Sequence, residues 1–329
     1  MATIYDVAKL AEVSPSTVSL ALNNPGRVKP STLQRILQVA DEIGFVPKTE
    51  AVTRARRGVG RLGVMAPLTS YPSFGRRLNG VLRATRDSSW EIVVYDQESA
   101  AVTSPTLAMI PLTRRLDGLI IMSLPVDDVV AQRLVTQQLP TVLVDTQHSL
   151  FSSVAIDDGE GGRLVAEYLL ERGHERFAFV SEEKRGQRGH LRPEARLEAF
   201  RKTLAGAGLD LPDSHVRHVS YMVEGGRRAA HELLNLPVRP TAIFAHDDIL
   251  ASGVLMAARD RGLRVPEELA VVGFDDADVA EPLGLTTVRQ PLEESGELAA
   301  QILLGQLATP GRSVHQTTLR LSLVVRSSA

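Results

Sequence analysis

The chain has 329 residues, of which 43% are hydrophobic and 23% charged, with a formal net charge of −2. That length allows two or three domains around a large core, and no run approaches the roughly 18 apolar residues of a membrane span. Cysteine is absent, which excludes disulfides, thiolate metal sites and a cysteine nucleophile; no signal peptide is expected either, because no apolar stretch follows a basic start.

The charge is unevenly placed. Residues 1–61 carry nine Lys or Arg against five acids, a surplus of +4 that leaves −6 for the remainder. A basic head on an acidic body suits phosphate contact at one end. Within that head, Ile4, Val7, Ala8 and Ala11 recur at helical spacing and predict a first helix. Glu12-Val13-Ser14 breaks the pattern. Ser14 reads as an N-cap, with Pro15 at the first helical position, where its missing N–H costs nothing. Val18, Ala21 and Leu22 give a second helix its buried side, leaving Ser16, Thr17, Ser19 and Leu20 outward or at the edges. Two short helices around such a turn form a helix-turn-helix unit, whose second helix can enter a DNA major groove.

Thr3-Ile4-Tyr5-Asp6-Val7-Ala8-Lys9, then Val13-Ser14, Thr17-Val18-Ser19 and Leu22-Asn23, resemble the N-terminal signature of the LacI/GalR family of bacterial transcription regulators. The resemblance implies that Pro15, Ser16 and Leu20 choose bases. Many relatives place Arg at the last position, where it can grip guanine; Leu20 instead suits a thymine methyl, so the operator is expected to differ in its outer bases. Thr3, Ser14, Thr17, Ser19 and Asn23 are expected on phosphate or backbone, which positions without specifying. For Ser14, capping is the preferred reading.

Residues 25–31 read as a loop. A third helix follows from Pro30 or Ser31, with Leu33, Ile36, Leu37, Ala40 and Ile43 on its apolar face and Gly44 closing it. The basic segment after Pro47 reads as a linker, or as a helix that forms only on DNA. The family resemblance makes it the hinge helix, which wedges a leucine into the minor groove. Here Arg54 stands at that leucine's place, a side chain able to read a narrow minor groove. Gly58, Gly60 and Gly63 spell G-x-G-x-x-G, but a dinucleotide fingerprint follows a strand and opens a helix. This one precedes a strand, so it is read as linker glycine.

Strands are expected at 62–66, 91–96, 117–122, 141–145, 154–156, 176–180, 216–220, 241–245 and 269–274. Helices are expected at 74–87, 127–138, 159–172, 193–207, 224–236, 247–261 and 291–307. This alternation predicts parallel sheets covered by helices on both faces, enough for two sheets.

Later segments extend the resemblance: Asp157 with Gly161, Gly173-His174, Arg196 to Phe200 with Ala199 in place of glycine, Pro240 to Ala245 with Asp248, Ala251 and Gly253, Gly273-Phe274-Asp275-Asp276, and Leu285 to Pro291. The fold implied is an all-α helix-turn-helix headpiece plus a two-lobed α/β core with doubly wound parallel sheets, like the type I periplasmic binding proteins. The expected boundaries are a headpiece at 1–47, a hinge at 48–60 and a core at 61–329. Within the core, one lobe takes about 61–157 and 291–318, the other about 158–290 and 319–329.

Ligands of open α/β sheets bind beyond the carboxyl ends of strands. Arg196, Asp247 and Asp275 sit at or near such ends, and carboxylates opposite a guanidinium suit a polyhydroxylated ligand. Tyr221 stands where the family often stacks an aromatic ring on a sugar. Asp247 replaces the family's usual Asn, which points to a more cationic or donor-rich ligand; an N-cap is its alternative reading. For Arg196 the alternative is a surface ion pair with Glu194 or Glu198. Ser70, Phe74, Ser123 and Asp145 are further candidates from the first lobe. The histidines form no metal constellation, and no P-loop or nucleophile elbow is present.

The function expected is an allosteric, DNA-binding repressor with no enzymatic activity and no cofactor. It is expected in the bacterial cytoplasm, associated with the nucleoid, acting as a homodimer on a pseudo-palindromic operator under a carbohydrate-type effector held between the lobes. A protein or non-sugar corepressor is the first alternative, and a stand-alone sugar-binding protein the second. A dehydrogenase, suggested by the α/β alternation alone, lacks a correctly placed fingerprint.

Overall fold

The structure is a computed structural model that describes residues 2–23, 25–45, 60–97, 105–113, 115–183, 191–311 and 313–329. Arg54 and nearly all of the expected hinge lie outside these residues. The chain divides into two compact units, Met1–Ala155 with Glu293–Thr317 and Ile156–Leu292 with Thr318–Ala329. It therefore passes between them three times.

The first unit begins with α1 (Ile4–Leu10), α2 (Pro15–Asn23) and α3 (Pro30–Glu42). These three helices bury Val7, Ala11, Val18, Ala21, Leu33 and Ile36 in one cluster. The remaining elements are β1 (Gly60–Ala66), α4 (Pro72–Thr85), β2 (Trp90–Asp96), α5 (Pro105–Thr113), β3 (Gly118–Met122), α6 (Asp128–Thr136), β4 (Thr141–Val144) and β5 (Ser152–Ile156). The second unit's elements follow: α7 (Asp158–Glu171), β6 (Phe177–Glu182), α8 (Leu191–Gly206), β7 (Val216–Val219), α9 (Val223–Leu233), β8 (Ala242–Ala245), α10 (Asp248–Asp260), β9 (Ala270–Asp275) and β10 (Thr286–Arg289). The chain returns to the first unit with α11 (Leu292–Ala308) and β11 (Gln316–Leu319), and ends in the second with β12 (Ser322–Val324).

Each unit has a six-stranded sheet, ordered β11-β5-β4-β3-β1-β2 in the first and β12-β10-β9-β8-β6-β7 in the second. Strands β1 to β5 pair in parallel, with Val64 opposite Val94 and Ile120 opposite Val142. In the second unit β12 runs antiparallel to β10 at the edge. All five residues of β3 are buried, as expected where helices cover both faces of a parallel sheet. A core of Phe177, Phe179, Phe200, Phe244 and Phe274 fills one side of the second sheet.

Four elements had no counterpart in the predicted series: α5, β10, β11 and β12. The strands are three or four residues long, too short to show a period. Helix α5, PTLAMIPLT, is apolar on every side and buried from Leu107 to Leu112, so it has no amphipathic stripe to detect.

Candidate functional site

The head is built by its caps. The Thr3 hydroxyl accepts from the Asp6 N–H at 3.3 Å, and the Asp6 carboxylate accepts from the Thr3 N–H at 2.8 Å and its hydroxyl at 2.7 Å. This capping box also holds the Asp6 carboxyl below its ordinary range, chiefly through the Thr3 hydroxyl. Thr3 is thus committed to starting α1. Its replacement by alanine should cost the head about 1 kcal/mol, visible as a lower denaturation midpoint, with base preference unchanged in an operator-selection assay.

Glu12 takes a left-handed φ of 51°, which reverses the chain between α1 and α2. The Ser14 oxygen then accepts from the Thr17 N–H at 3.1 Å, and the two hydroxyls lie 2.8 Å apart. Ser14 is therefore the cap of α2. Pro15, Ser16 and Leu20 are exposed, Thr17 and Ser19 half-buried, and Val18 and Ala21 fully buried. Asn23 closes α2. Tyr5, 71% exposed on α1, is an aromatic side chain that the expected set left out.

In the second unit four adjacent parallel strands, ordered β9-β8-β6-β7, bring polar groups to one end. Asp275 ends β9 and Glu182 ends β6; His246-Asp247 follow β8 and Ser220-Tyr221 follow β7. Arg196, Tyr221, Asp247 and Asp275 meet here. Asp247 Oδ1 caps α10 by accepting from the Leu250 N–H at 2.9 Å, so the capping reading describes that oxygen. The same carboxyl is hydrogen-bonded to Tyr221. Burial and the Asp275 charge push its pKa up to about 7. Burial, with the charge of Asp247, also raises the Tyr221 phenol far above its usual range. Asp248 is held too: Oδ1 accepts from the Thr287 hydroxyl at 2.6 Å and Oδ2 from the Ala277 N–H at 2.7 Å. Burial raises its pKa as well.

Arg196 is no surface ion pair. It is 4% exposed, and its ion pair is with Asp158. Its Nε and Nη2 donate to Asp158 Oδ1 at 2.8 and 2.7 Å, and Nη1 donates to the His246 carbonyl at 2.5 Å. Its guanidinium carbon lies 3.5 Å from the centre of the Phe274 ring. Asp275, with φ at 109°, accepts a short hydrogen bond from Gln290, and Asp276 follows with φ at 51°. Consecutive left-handed residues without a glycine mark stored backbone strain. The result is a patch rich in acceptors beside one planar cation, fitted to a ligand that offers several O–H or N–H groups.

The first unit has a matching arrangement at the ends of β3 and β4. Ser123 and Asp145 both adopt φ of 59°, and the Ser123 hydroxyl donates to Asp145 Oδ2 at 3.4 Å. Arg77 of α4 forms a short ion pair with Asp145; the two side chains are 2% and 3% exposed. Arg77 also donates to the Ser295 hydroxyl at 3.3 Å and lies 5.9 Å from the ring centre of buried Phe74. Ser70 stands in the turn before α4, its N–H on the Pro67 carbonyl.

Arg77, Asp158 and His246 were absent from the expected set. Arg77 left a signal: it is a charge on the stripe Phe74, Arg77, Val81 that α4 buries. His246 packs edge-on to Tyr221, ring centres 6.2 Å apart, and only strand order brings it there. No group of three or more metal-ligating side chains is found among the described residues.

Comparison with known proteins agrees with these two parts. Residues 3–48 match the family described as bacterial regulatory proteins, lacI family, and residues 166–329 match a periplasmic binding protein-like domain. The ribose operon repressor of Escherichia coli (strain K12) is 30% identical, over all of both chains. The solved complex of the transcriptional regulator CelR with cellobiose is 28% identical over all of both chains, with a TM-score of 0.71. A LacI family regulator from Enterococcus faecium with bound ribose is 26% identical and has a TM-score of 0.71, covering 82% of this chain and 98% of that one. A capped three-helix head, two doubly wound sheets and a full-length relative at this identity lead to one conclusion: the chain belongs to the lacI family of bacterial regulatory proteins.

Proposed function

We propose that the protein is a transcriptional repressor whose operator affinity is set by a small polyhydroxylated effector. The observation that carries this reading is one chain holding two sites. A capped second helix exposes Pro15, Ser16 and Leu20, and Arg196, Tyr221, Asp247 and Asp275 meet at the carboxyl ends of adjacent strands. Ribose and cellobiose are bound by the similar regulators named above, which makes a sugar or sugar derivative the natural class.

The protein acts as a homodimer on a pseudo-palindrome, since two-fold symmetry presents two recognition helices to two half-sites. Exposed apolar side chains support self-association: Leu82 on α4 and Val94 on β2 in the first unit, Met222, Val223 and Met256 on or beside α9 and α10 in the second. The headpiece at 1–47, the hinge at 48–60 and the two-lobed core remain the proposed division of labour, with Arg54 reading the minor groove. Ser70, Phe74, Ser123 and Asp145 are the first unit's contribution to effector recognition. Operator affinity differs between the effector-bound and effector-free states by a coupling free energy of about 1–3 kcal/mol.

The test is selection of genomic fragments by the purified protein, followed by a thermal-shift screen of mono- and disaccharides. A recovered palindrome, with a sugar that raises Tm and changes operator affinity, is the expected result. A palindrome with no responding sugar selects a protein or non-sugar corepressor, and Asp247 in place of the family's Asn favours a donor-rich one.

Asp247 also gives a pH signature. Its folded pKa is raised to about 7, so its neutral form favours the ligand-free fold. That stability is complete below the ordinary Asp range and is lost as pH rises through about 7. An effector hydroxyl donates a stronger hydrogen bond to the ionised carboxylate than to the neutral acid. Effector affinity is therefore expected to climb from pH 5 to 8, by up to about tenfold per pH unit below 7. Titration of Asp247→Asn alongside should give a flat profile; equal slopes in both proteins would reject this role.

A further inference from the structure

We infer that the face of the first unit formed by α5 and α6 is a docking surface for the chain's own DNA-reading head, so that head and unit move as one body while α2 stays open to DNA. The argument starts from α5. A helix without a polar side must be covered all round, and Leu107 to Leu112 are all buried. Leu107, Ala108 and Ile110 pack into the unit's own core with Leu119 and Leu134. Met109 and Leu112, each 1% exposed, pack instead with Val7, Val18, Ala21 and Ile36 of the head. Leu37 of α3 touches both clusters. The head thus supplies the second cover that the α5 sequence demands.

A charged clasp lies beside this contact. Arg133 of α6, its side chain 5% exposed, donates from Nε and Nη2 to the two oxygens of Asp41 on α3 at 2.9 and 2.5 Å, and from Nη1 to the Ala108 carbonyl at 3.0 Å. The fork is bidentate, the strongest and most directional form of such a pair. Without Asp41, a nearly buried guanidinium would lose its counter-charge. Docking takes the flank of α2 that carries Val18 and Ala21; Pro15, Ser16 and Leu20 remain exposed. A docked head therefore reaches DNA already oriented, whereas an undocked head must lose orientational freedom on binding.

The absence of native cysteine makes the test direct. Gln38→Cys on α3 and Val129→Cys on α6, both exposed positions, receive spin labels in the full chain, diluted with excess unlabelled protein so that only intrachain distances are read. The expected result is one narrow distance distribution, broadened by Met109→Glu and by Asp41→Lys. Asp41→Lys alters only a part-exposed head side chain, so it keeps the test open if Met109→Glu does not fold. A broad distribution in the otherwise unchanged chain, or a narrow one that neither substitution moves, overturns docking. Operator affinity of Asp41→Lys should fall by about tenfold; unchanged or higher affinity overturns presentation by the docked head. This second arm rests on the proposed DNA role, whereas the distance measurement does not, so failure of either is told apart.

Discussion

Replacing Arg196 by alanine is expected to abolish the effector response and to destabilise the second unit by about 3–5 kcal/mol. The side chain joins three parts of that unit: Asp158 at the start of α7, the His246 carbonyl after β8 and the Phe274 ring of β9. Its removal leaves Asp158, 14% exposed at its side chain, without a counter-charge. It also removes the cation beside Asp247 and the guanidinium fork that ties α7 to the end of β8, so the acidic strand ends lose both a counter-charge and their framework. Effector affinity should fall by at least ~100-fold, the scale of a lost buried ionic contact. Tm should fall by roughly 10 °C. Arg196→Lys keeps the charge but not the planar fork, and an intermediate loss is expected. Scanning calorimetry and operator titration with and without the responding sugar measure both effects. Wild-type Tm and response in the alanine variant would contradict the assignment.

A second large effect is expected where α9 meets α10. A Cβ on Gly253 would lie 2.0 Å from the Val223 carbonyl oxygen and 2.6 Å from the Arg227 nitrogen, and one on Gly226 would lie 2.1 Å from the Leu250 carbonyl oxygen. The obstacles are backbone atoms, so no side chain can swing aside and the helices must part. Gly253→Ala gains up to about 1 kcal/mol of helix propensity but overpacks by about 1–3 kcal/mol or more, a net loss. Gly253→Leu should prevent the second unit from folding cooperatively. Gly206→Ala is the control: nothing stands within 4 Å of its added Cβ, and stability should hold or rise slightly. Denaturant titration compares the three. A Gly253→Leu protein with a wild-type midpoint would show that the helices are not in backbone contact.

These two sites show how differently a residue can announce itself. Gly253 stood in the sequence as part of a family-like string; the carbonyl it must not touch belongs to a helix about thirty residues earlier. Arg196 reads as a candidate from the sequence, where Glu194 and Glu198 are its nearest acids. The partner it has, Asp158, is 38 positions away. Arg77 carried a weak mark as a charge on an apolar stripe, and Asp145 carried one as an acid after a strand. Nothing local to either indicated that they pair.

What the sequence determined by itself is local. Thr3 with Asp6, and Ser14 with Pro15, start α1 and α2 because a cap bonds an N–H three residues on. The apolar runs of β3 and β8 make buried parallel strands because both faces lose water. Such effects act within one turn or one strand, so periodicity and composition report them. The tertiary structure decided the rest. Sheet order placed the ends of β9, β8, β6 and β7 side by side and gathered Asp275, Asp247, Glu182 and Tyr221. It also laid the head on Met109 and Leu112, giving α5 a second burial partner that left no period to read. Chain order does not encode which strand ends become neighbours or what covers a wholly apolar helix; those follow from the packing that removes the most apolar surface from water.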